Sequence, residues 1–221
     1  MNKKYKAFTL AEVLITLAVI GIVAAMSIPS LMNSTGDKEL SVARQKAYST
    51  MSGFFNKLNE NNELPLSSTT GYQTAFVNLF TKYLNTTSSC NGQFNCWHNI
   101  NQWYKHNGTA LNFSDGYGAV TADGMLISSI GNFVGACSSN PVMLPNSCVH
   151  FLVDVNGFKK PNTWGKDIIA FEMTGTQLLP SGAPNAPNHG SFYCNDTDTS
   201  NDSYWSNIGC SNNAILNKPI P

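Results

Sequence analysis

Charge is scarce in this chain: 12% of its residues are Asp, Glu, Lys or Arg, and 13 basic side chains balance 13 acidic ones. That balance supplies neither the basic stripe a nucleic acid would need nor an acidic tail, so no nucleic-acid partner is indicated. Catalytic signatures are missing too. No G-x-S-x-G elbow, Gly-rich phosphate loop or H-E-x-x-H pair occurs. An exported hydrolase assembled from scattered Ser, His and Asp residues is the enzymatic rival that this absence leaves open. Cysteine is absent before Cys90, and the intervals between the later cysteines lack the spacing of zinc ligands.

What the chain does have is one long apolar run, Phe8 to Pro29, broken by a single carboxylate, Glu12. At ~1.5 Å of rise per helical residue, Phe8 to Ile28 extends about 30 Å, the hydrocarbon thickness of a bilayer. Lys3, Lys4 and Lys6 precede it with no acid among them. The positive-inside bias therefore keeps the N-terminus cytoplasmic and puts everything after Pro29 on the other side. The tract Val23–Ala24–Ala25 also suits a secretory signal cleavage site, and a plain membrane anchor satisfies the same hydropathy. Neither explains Glu12. An ionised carboxylate in lipid costs several kcal/mol unless it has a partner or a task.

The six cysteines all lie in the part that would be exported. An even count there reads as a disulfide framework in an oxidising compartment. Many pairings are open. The sequential set, Cys90–Cys96, Cys137–Cys148 and Cys194–Cys210, closes three short loops bounded by turn residues.

From about Leu31 the apolar period resumes, with Leu40, Ala43, Ala47, Met51, Phe54 and Leu58 forming one stripe. Asp37-Lys38-Glu39, Arg44-Gln45-Lys46 and Lys57 fall on the opposite, solvent-facing side. Pro65 bounds this helix, because the residue before a proline avoids helical geometry. A coiled coil is the alternative, but two heptads without charged flanking rows are too few. A short helix is expected at Thr74–Leu84. The segment Cys90–Asn107 concentrates Trp97, Trp103 and Tyr104 with His98 and His106. It reads either as a disulfide-pinned loop laying its aromatics on the domain or as an aromatic ligand platform. Both histidines lack an acid or Cys at ligand spacing and read as surface residues.

After Tyr117 the pattern turns to short strands: Ala119–Thr121, Met125–Ile130, Val149–Val155 and Ile168–Met173. Asn156-Gly157 is the strongest hairpin signal and Asp123-Gly124 the next. The expected fold is α+β, a long N-terminal helix laid on one face of a three- or four-stranded antiparallel meander. The C-terminal stretch closed by Cys194 and Cys210 reads as an irregular loop. Two sets of oxygen donors are candidate calcium ligands: Asp154 and Asp167, with Asn156 and Asn162, and then Asp196, Asp198 and Asp202 with Ser200. Turn chemistry explains the first set equally well. The second departs from an EF-hand, with no Gly at its sixth position and Asn207 where a bidentate Glu belongs. No other cofactor is indicated.

A basic leader, small Ala7, then Phe8-Thr9-Leu10-Ala11-Glu12-Val13-Leu14 and an apolar run ending in Pro29 resembles the N-terminus of the type IV pilin and type II secretion pseudopilin family. The resemblance implies cleavage by a prepilin peptidase between Ala7 and Phe8, followed by N-methylation of Phe8. It also implies that Glu12 of an incoming subunit pairs with the N-terminal amine of its neighbour in a filament, setting register by removing a buried unpaired charge. Ala7 departs from the Gly usual at that position. The resemblance further implies a C-terminal Cys194–Cys210 bridge and, in assembled filaments, loosening of the helix between Gly21 and Pro29, where the loss of a backbone donor at Pro29 already leads one to expect a kink or local melting. The organisation is then a leader (1–7), a membrane and filament-core helix (8–29), its amphipathic continuation (30–60), a variable region (61–116) and a sheet with a disulfide-closed loop (117–221). Expected partners are copies of the chain or related pilins, the peptidase, an inner-membrane assembly platform and the membrane. Expected locations are the inner membrane before assembly, and the periplasm or cell surface as filament. A minor pilin or pseudopilin of a secretion or DNA-uptake machine, and a monomeric anchored binding domain, are the alternatives.

Overall fold

The structure is a computed structural model and describes residues 8–63, 72–112, 114–129, 149–186, 194 and 209–218. The expectations for Ala7, Cys137, Cys148, Asp196, Asp198, Asp202, Ser200 and Asn207 concern positions outside those residues. The elements in chain order are α1 (Leu10–Glu60), α2 (Tyr72–Tyr83), β1 (Thr86–Asn91), β2 (Tyr117–Thr121), β3 (Leu126–Ser128), β4 (Val149–Asp154), β5 (Ile168–Met173), β6 (Leu178–Pro180) and α3 (Cys210–Ile215). The chain divides into two compact units, Met1–Glu39 and Leu40–Pro221.

In the first unit the 19 residues Leu10–Ile28 form a helical segment long and apolar enough to cross a membrane, none of it buried. Phe8, Leu10, Ile15 and Met26 are 87%, 79%, 64% and 77% exposed, the condition of side chains whose solvent is lipid or another apolar helix. Helix α1 is unbroken across Gly21 and Pro29 in the single chain.

The second unit is an α+β domain around a six-stranded antiparallel meander in sequence order, β1 to β6. Strand alternation sorts its side chains. Val149, Phe151 and Val153 of β4 and Ile169, Phe171 and Met173 of β5 turn to one side, where they meet Ala47, Met51, Phe54 and Leu58 of α1 and Phe76 and Phe80 of α2. Aromatic pairs fill this layer: Phe76–Phe80 at 4.5 Å, Phe54–Phe80 at 5.1 Å and Phe151–Phe171 at 5.5 Å between ring centroids. The helical stripe faces the sheet as its spacing predicts, with Leu40 and Ala43 partly buried at its start.

The other face of the sheet is covered as well. Leu126, Leu152, Ile168 and Ala170 turn towards Trp97, Trp103, Leu111 and Trp164. Trp97 and Trp103 meet edge to face at 5.6 Å, and Trp103 meets Trp164 at 5.8 Å. Trp97 and Trp103 of the Cys90–Asn107 segment are therefore core and not a ligand platform, being at most 1% exposed, while Tyr104 is half-buried and Phe94 exposed. This second layer explains why all of β4 and β5 is buried, where a sheet with one wet face would alternate.

Three elements depart from the sequence reading. β1, Thr-Thr-Ser-Ser-Cys-Asn, is an edge strand with no buried apolar face to reveal it. β6 is three residues long. α3 is polar in composition and is held by tertiary bonds: Ser211 Oγ accepts from Ala170 N–H at 2.8 Å, and Asn212 N–H donates to Ser181 O at 3.1 Å. The Asn156-Gly157 signal marks a turn, but the β4–β5 connection continues to Asp167, so the expected tight hairpin is the start of a longer loop. Gly157 adopts φ 75°, and a Cβ there would sit 2.6 Å from Gly124 O, so this position requires glycine on both counts.

Candidate functional site

Three groups of residues carry the candidate chemistry. The first is the head of α1. Glu12 Oε2 accepts the Thr9 backbone N–H at 2.8 Å and the Thr9 hydroxyl at 2.8 Å. The Glu12 N–H in turn donates to Thr9 Oγ1 at 3.3 Å. These reciprocal bonds are a capping box, in which Thr9 precedes the helix and Glu12 occupies its third position. The Thr-x-x-Glu spacing ahead of an apolar run is the sequence signal for it, and it gives the carboxylate at the head of the apolar helix hydrogen-bond partners within its own chain. The acid satisfies one backbone donor, the Thr9 N–H, and Thr9 Oγ1 satisfies a second, the Glu12 N–H, both of which the helix start would leave orphaned. Both bonds fall on Oε2, and Phe8 beside them is 87% exposed.

The second group surrounds the candidate calcium ligands. Asp154 Oδ2 lies 2.8 Å from His98 Nε2, and Asp154 Oδ1 accepts the Asn156 N–H at 3.1 Å. Asp167 Oδ2 accepts the Asn162 N–H at 2.7 Å and its Oδ1 the Thr163 N–H at 2.6 Å. Both aspartates are fully buried. Their carboxylates fold the β4–β5 loop back on itself and tie it to the tryptophan layer, where Tyr104 N–H bonds Asn162 O at 2.8 Å and Trp164 N–H bonds Tyr104 O at 3.0 Å. Among the described residues no cluster of three or more His, Cys, Asp or Glu side chains is arranged to hold a metal.

His98 is not a surface residue: it is 1% exposed, with its partner Asp154 supplied by a strand distant in sequence. Burial lowers the His98 pKa to about 4, and burial followed by the neighbouring Asp167 charge raises Asp154 well above the usual carboxylate range. Near neutral pH the contact is a hydrogen bond to an uncharged imidazole, not an ion pair.

The third group bears on the hydrolase rival. His150 Nε2 lies 3.1 Å from Ser181 Oγ, and His150 stands opposite Glu172 across the β4–β5 ladder. The residue types are those of a nucleophile, base and orienting acid. All three are 0% exposed, however, and burial lowers the His150 pKa to about 3. Such an imidazole is a poor base at neutral pH, and no substrate carbonyl reaches Ser181 Oγ. His150 and Ser181 are a buried hydrogen-bonded pair of the core, with Glu172 beside His150 on the neighbouring strand.

Two of the anticipated disulfides join described residues. Cys90–Cys96, with Cα atoms 5.9 Å apart, pins the head of the tryptophan-bearing loop to the edge strand β1. Cys194–Cys210, at 4.6 Å, closes the C-terminal segment onto α3.

Compared with known families, residues 2–28 match the model described as the prokaryotic N-terminal methylation motif, the signature of type IV pilins and pseudopilins. The match covers the capped head of α1 and its exposed apolar stretch. Neither the curated proteins nor the solved structures yield a match to the chain.

Proposed function

We propose that this chain is the structural subunit of a type IV pilus-like filament, cut by a prepilin peptidase between Ala7 and Phe8, N-methylated at Phe8 and assembled through α1. One observation carries the reading: within the methylation motif, a carboxylate stands at the head of an apolar helix whose every side chain from Phe8 to Val23 is exposed. A surface of that kind needs lipid before assembly and other helices after it.

The steps follow from the residues. The lysines ahead of Phe8 hold the N-terminus in the cytoplasm while the domain from Leu40 onward is exported, and α1 anchors the subunit in the inner membrane. Cleavage creates a cation at Phe8, a charge suited to Glu12. An incoming subunit brings its Glu12 to the Phe8 amine of a neighbour already in place, so a charge that is costly alone in lipid becomes half of a pair. The Thr9 cap holds the carboxylate at the helix head until the amine arrives. Loosening of α1 between Gly21 and Pro29 then accompanies packing in the filament. The sheet and its two covering layers face outward. The motif marks a generally non-enzymatic class, and in this reading the protein is acted on by the peptidase and methylase and catalyses nothing itself.

Glu12→Ala tests the assignment. The variant is expected to be processed and membrane-bound yet lost from the sheared filament fraction. Wild-type incorporation of Glu12→Ala would remove the role given to the carboxylate.

A further inference from the structure

We propose that one end of the sheet in the Leu40–Pro221 unit is a docking surface for anionic phospholipid headgroups, gripped by Lys159, Lys160, Lys166 and Lys218 around the exposed apolar side chains of Phe158 and Leu216. The proposal rests on the reading of Leu10–Ile28 as a membrane anchor.

Topology gathers these residues. β4 ends at Asp154 opposite Ile168, where β5 begins, and Leu126 at the start of β3 also pairs with Asp154. The β2–β3 turn and the β4–β5 loop therefore leave the sheet at the same end, and they touch there, since a Cβ on Gly157 would meet Gly124 O at 2.6 Å. The tail of α3 joins them through α1. Arg44 Nη1 donates to Lys166 O at 2.8 Å, its Nε to Ala214 O at 3.0 Å and its Nη2 to Asn217 Oδ1 at 3.3 Å.

The surface has the composition of an interfacial anchor. The four lysines are exposed, and among the described residues none lies within 4.0 Å of a carboxylate. The neighbouring cation Lys46 is by contrast neutralised by Asp123 at 2.6 Å. Of the acids at this end, Asp154 and Asp167 are buried beneath it and engaged with His98 and backbone N–H groups, and the partly exposed Asp123 is the one paired with Lys46. Four cations thus face outward in a chain whose formal net charge is zero. Phe158 and Leu216 are 58% and 53% exposed beside them. An apolar ring and a leucine among lysines match the boundary between headgroups and acyl chains, where aliphatic stems bury and ammonium groups meet phosphates.

Connectivity argues for a bilayer as the occupant. α1 enters the packed unit at this same end, where Ser41 Oγ donates to Asn217 Oδ1 at 2.7 Å. Residues 29–39 alone separate Leu40 from the last residue of the apolar window, a contour of at most about 40 Å. The membrane that holds the anchor is within reach of these lysines throughout the life of the unassembled subunit. Docking would hold the domain against the bilayer before assembly and release it when the subunit is extracted.

The full chain is reconstituted in nanodiscs of phosphatidylcholine alone or of phosphatidylethanolamine with phosphatidylglycerol, and lysine acylation is followed by mass spectrometry with Lys57 as internal reference. Acylation of Lys159, Lys160, Lys166 and Lys218 is expected to be about fivefold slower in the anionic discs, the order of a lysine's attraction to an anionic surface. Lys159→Gln/Lys160→Gln should restore fast acylation at Lys166 and Lys218. Equal rates in the two lipids would overturn the proposal. So would protection in both lipids that grows with the number of chains per disc, which would assign this face to contacts between copies. A chain that fails to enter either disc would remove the anchor reading, and the proposal with it.

Discussion

Arg44 is the residue whose loss should most clearly separate the domain's architecture from its helical pattern. Its guanidinium reaches three acceptors on two segments far away in sequence: Lys166 O at 2.8 Å, Ala214 O at 3.0 Å and Asn217 Oδ1 at 3.3 Å. Hydrogen bonds from a charged donor contribute about 1.5–3 kcal/mol each where shielded from water. Two of these are short, one is long, and the side chain is half-exposed, so Arg44→Ala should destabilise the domain by roughly 3 kcal/mol. Arg44→Lys keeps the charge but not the planar fork. An ammonium can satisfy one of the two carbonyls well, so about 2 kcal/mol of the loss should persist. Urea unfolding of the full chain in detergent, followed by the emission of buried Trp97, Trp103 and Trp164, reads both values. A loss below ~1 kcal/mol in Arg44→Ala would contradict the reasoning, because breaking this clamp should cost more than an exposed surface contact. Wild-type stability in Arg44→Lys would show that charge near the end of α3, and not the fork, is what matters.

Two further outcomes follow from the buried carboxylates. Asp115 accepts from Ser128 Oγ at 2.7 Å and from Tyr117 N–H at 3.0 Å, yet burial outweighs both bonds and pushes its pKa up to about 6. Because the folded value lies above the unfolded one, the native state holds this proton more tightly, and the stability it confers is complete below the unfolded pKa and lost as pH rises through about 6. Asp115→Asn should therefore gain roughly 2 kcal/mol relative to wild type between about pH 4 and pH 7, measured as the difference of the two unfolding curves so that His98, His150, Asp154 and Asp167 cancel; parallel curves would be the contrary result. For calcium, the Asp154 and Asp167 oxygens are already bonded to backbone N–H groups and His98. Millimolar calcium or its chelation should shift the thermal midpoint by less than about 2 °C, the size of a sub-kcal effect, and a larger rise would place a bound ion in this protein.

The parts of the fold legible in the sequence are those where a local pattern and a tertiary role coincide. The stripe Ala47, Met51, Phe54 and Leu58 reads as a buried face because nothing but the sheet decides it, and Ile168–Met173 reads as a strand with its ends where β5 has them. Residues whose role is set by distant partners are not legible in the sequence. Arg44 falls on the polar side of the helical wheel, yet α3 and the β4–β5 loop come round to meet it. His98 has no acid near it in sequence, and Asp154 arrives from β4. β1 is invisible because an edge strand of Thr and Ser pairs mainly through its backbone, with Ser89 opposite Ala119 and Cys90 opposite Gly118. At the head of α1 the Thr9-x-x-Glu12 capping box is legible as a sequence spacing, because both of its residues lie within one turn.

Intact mass of the native polypeptide, taken from membranes and from sheared surface material, tests the central claim most directly. The account predicts a chain beginning at Phe8, heavier by one methyl group than the cleaved sequence, and present in both fractions. A native chain that still carries Met1 and its lysines would contradict it.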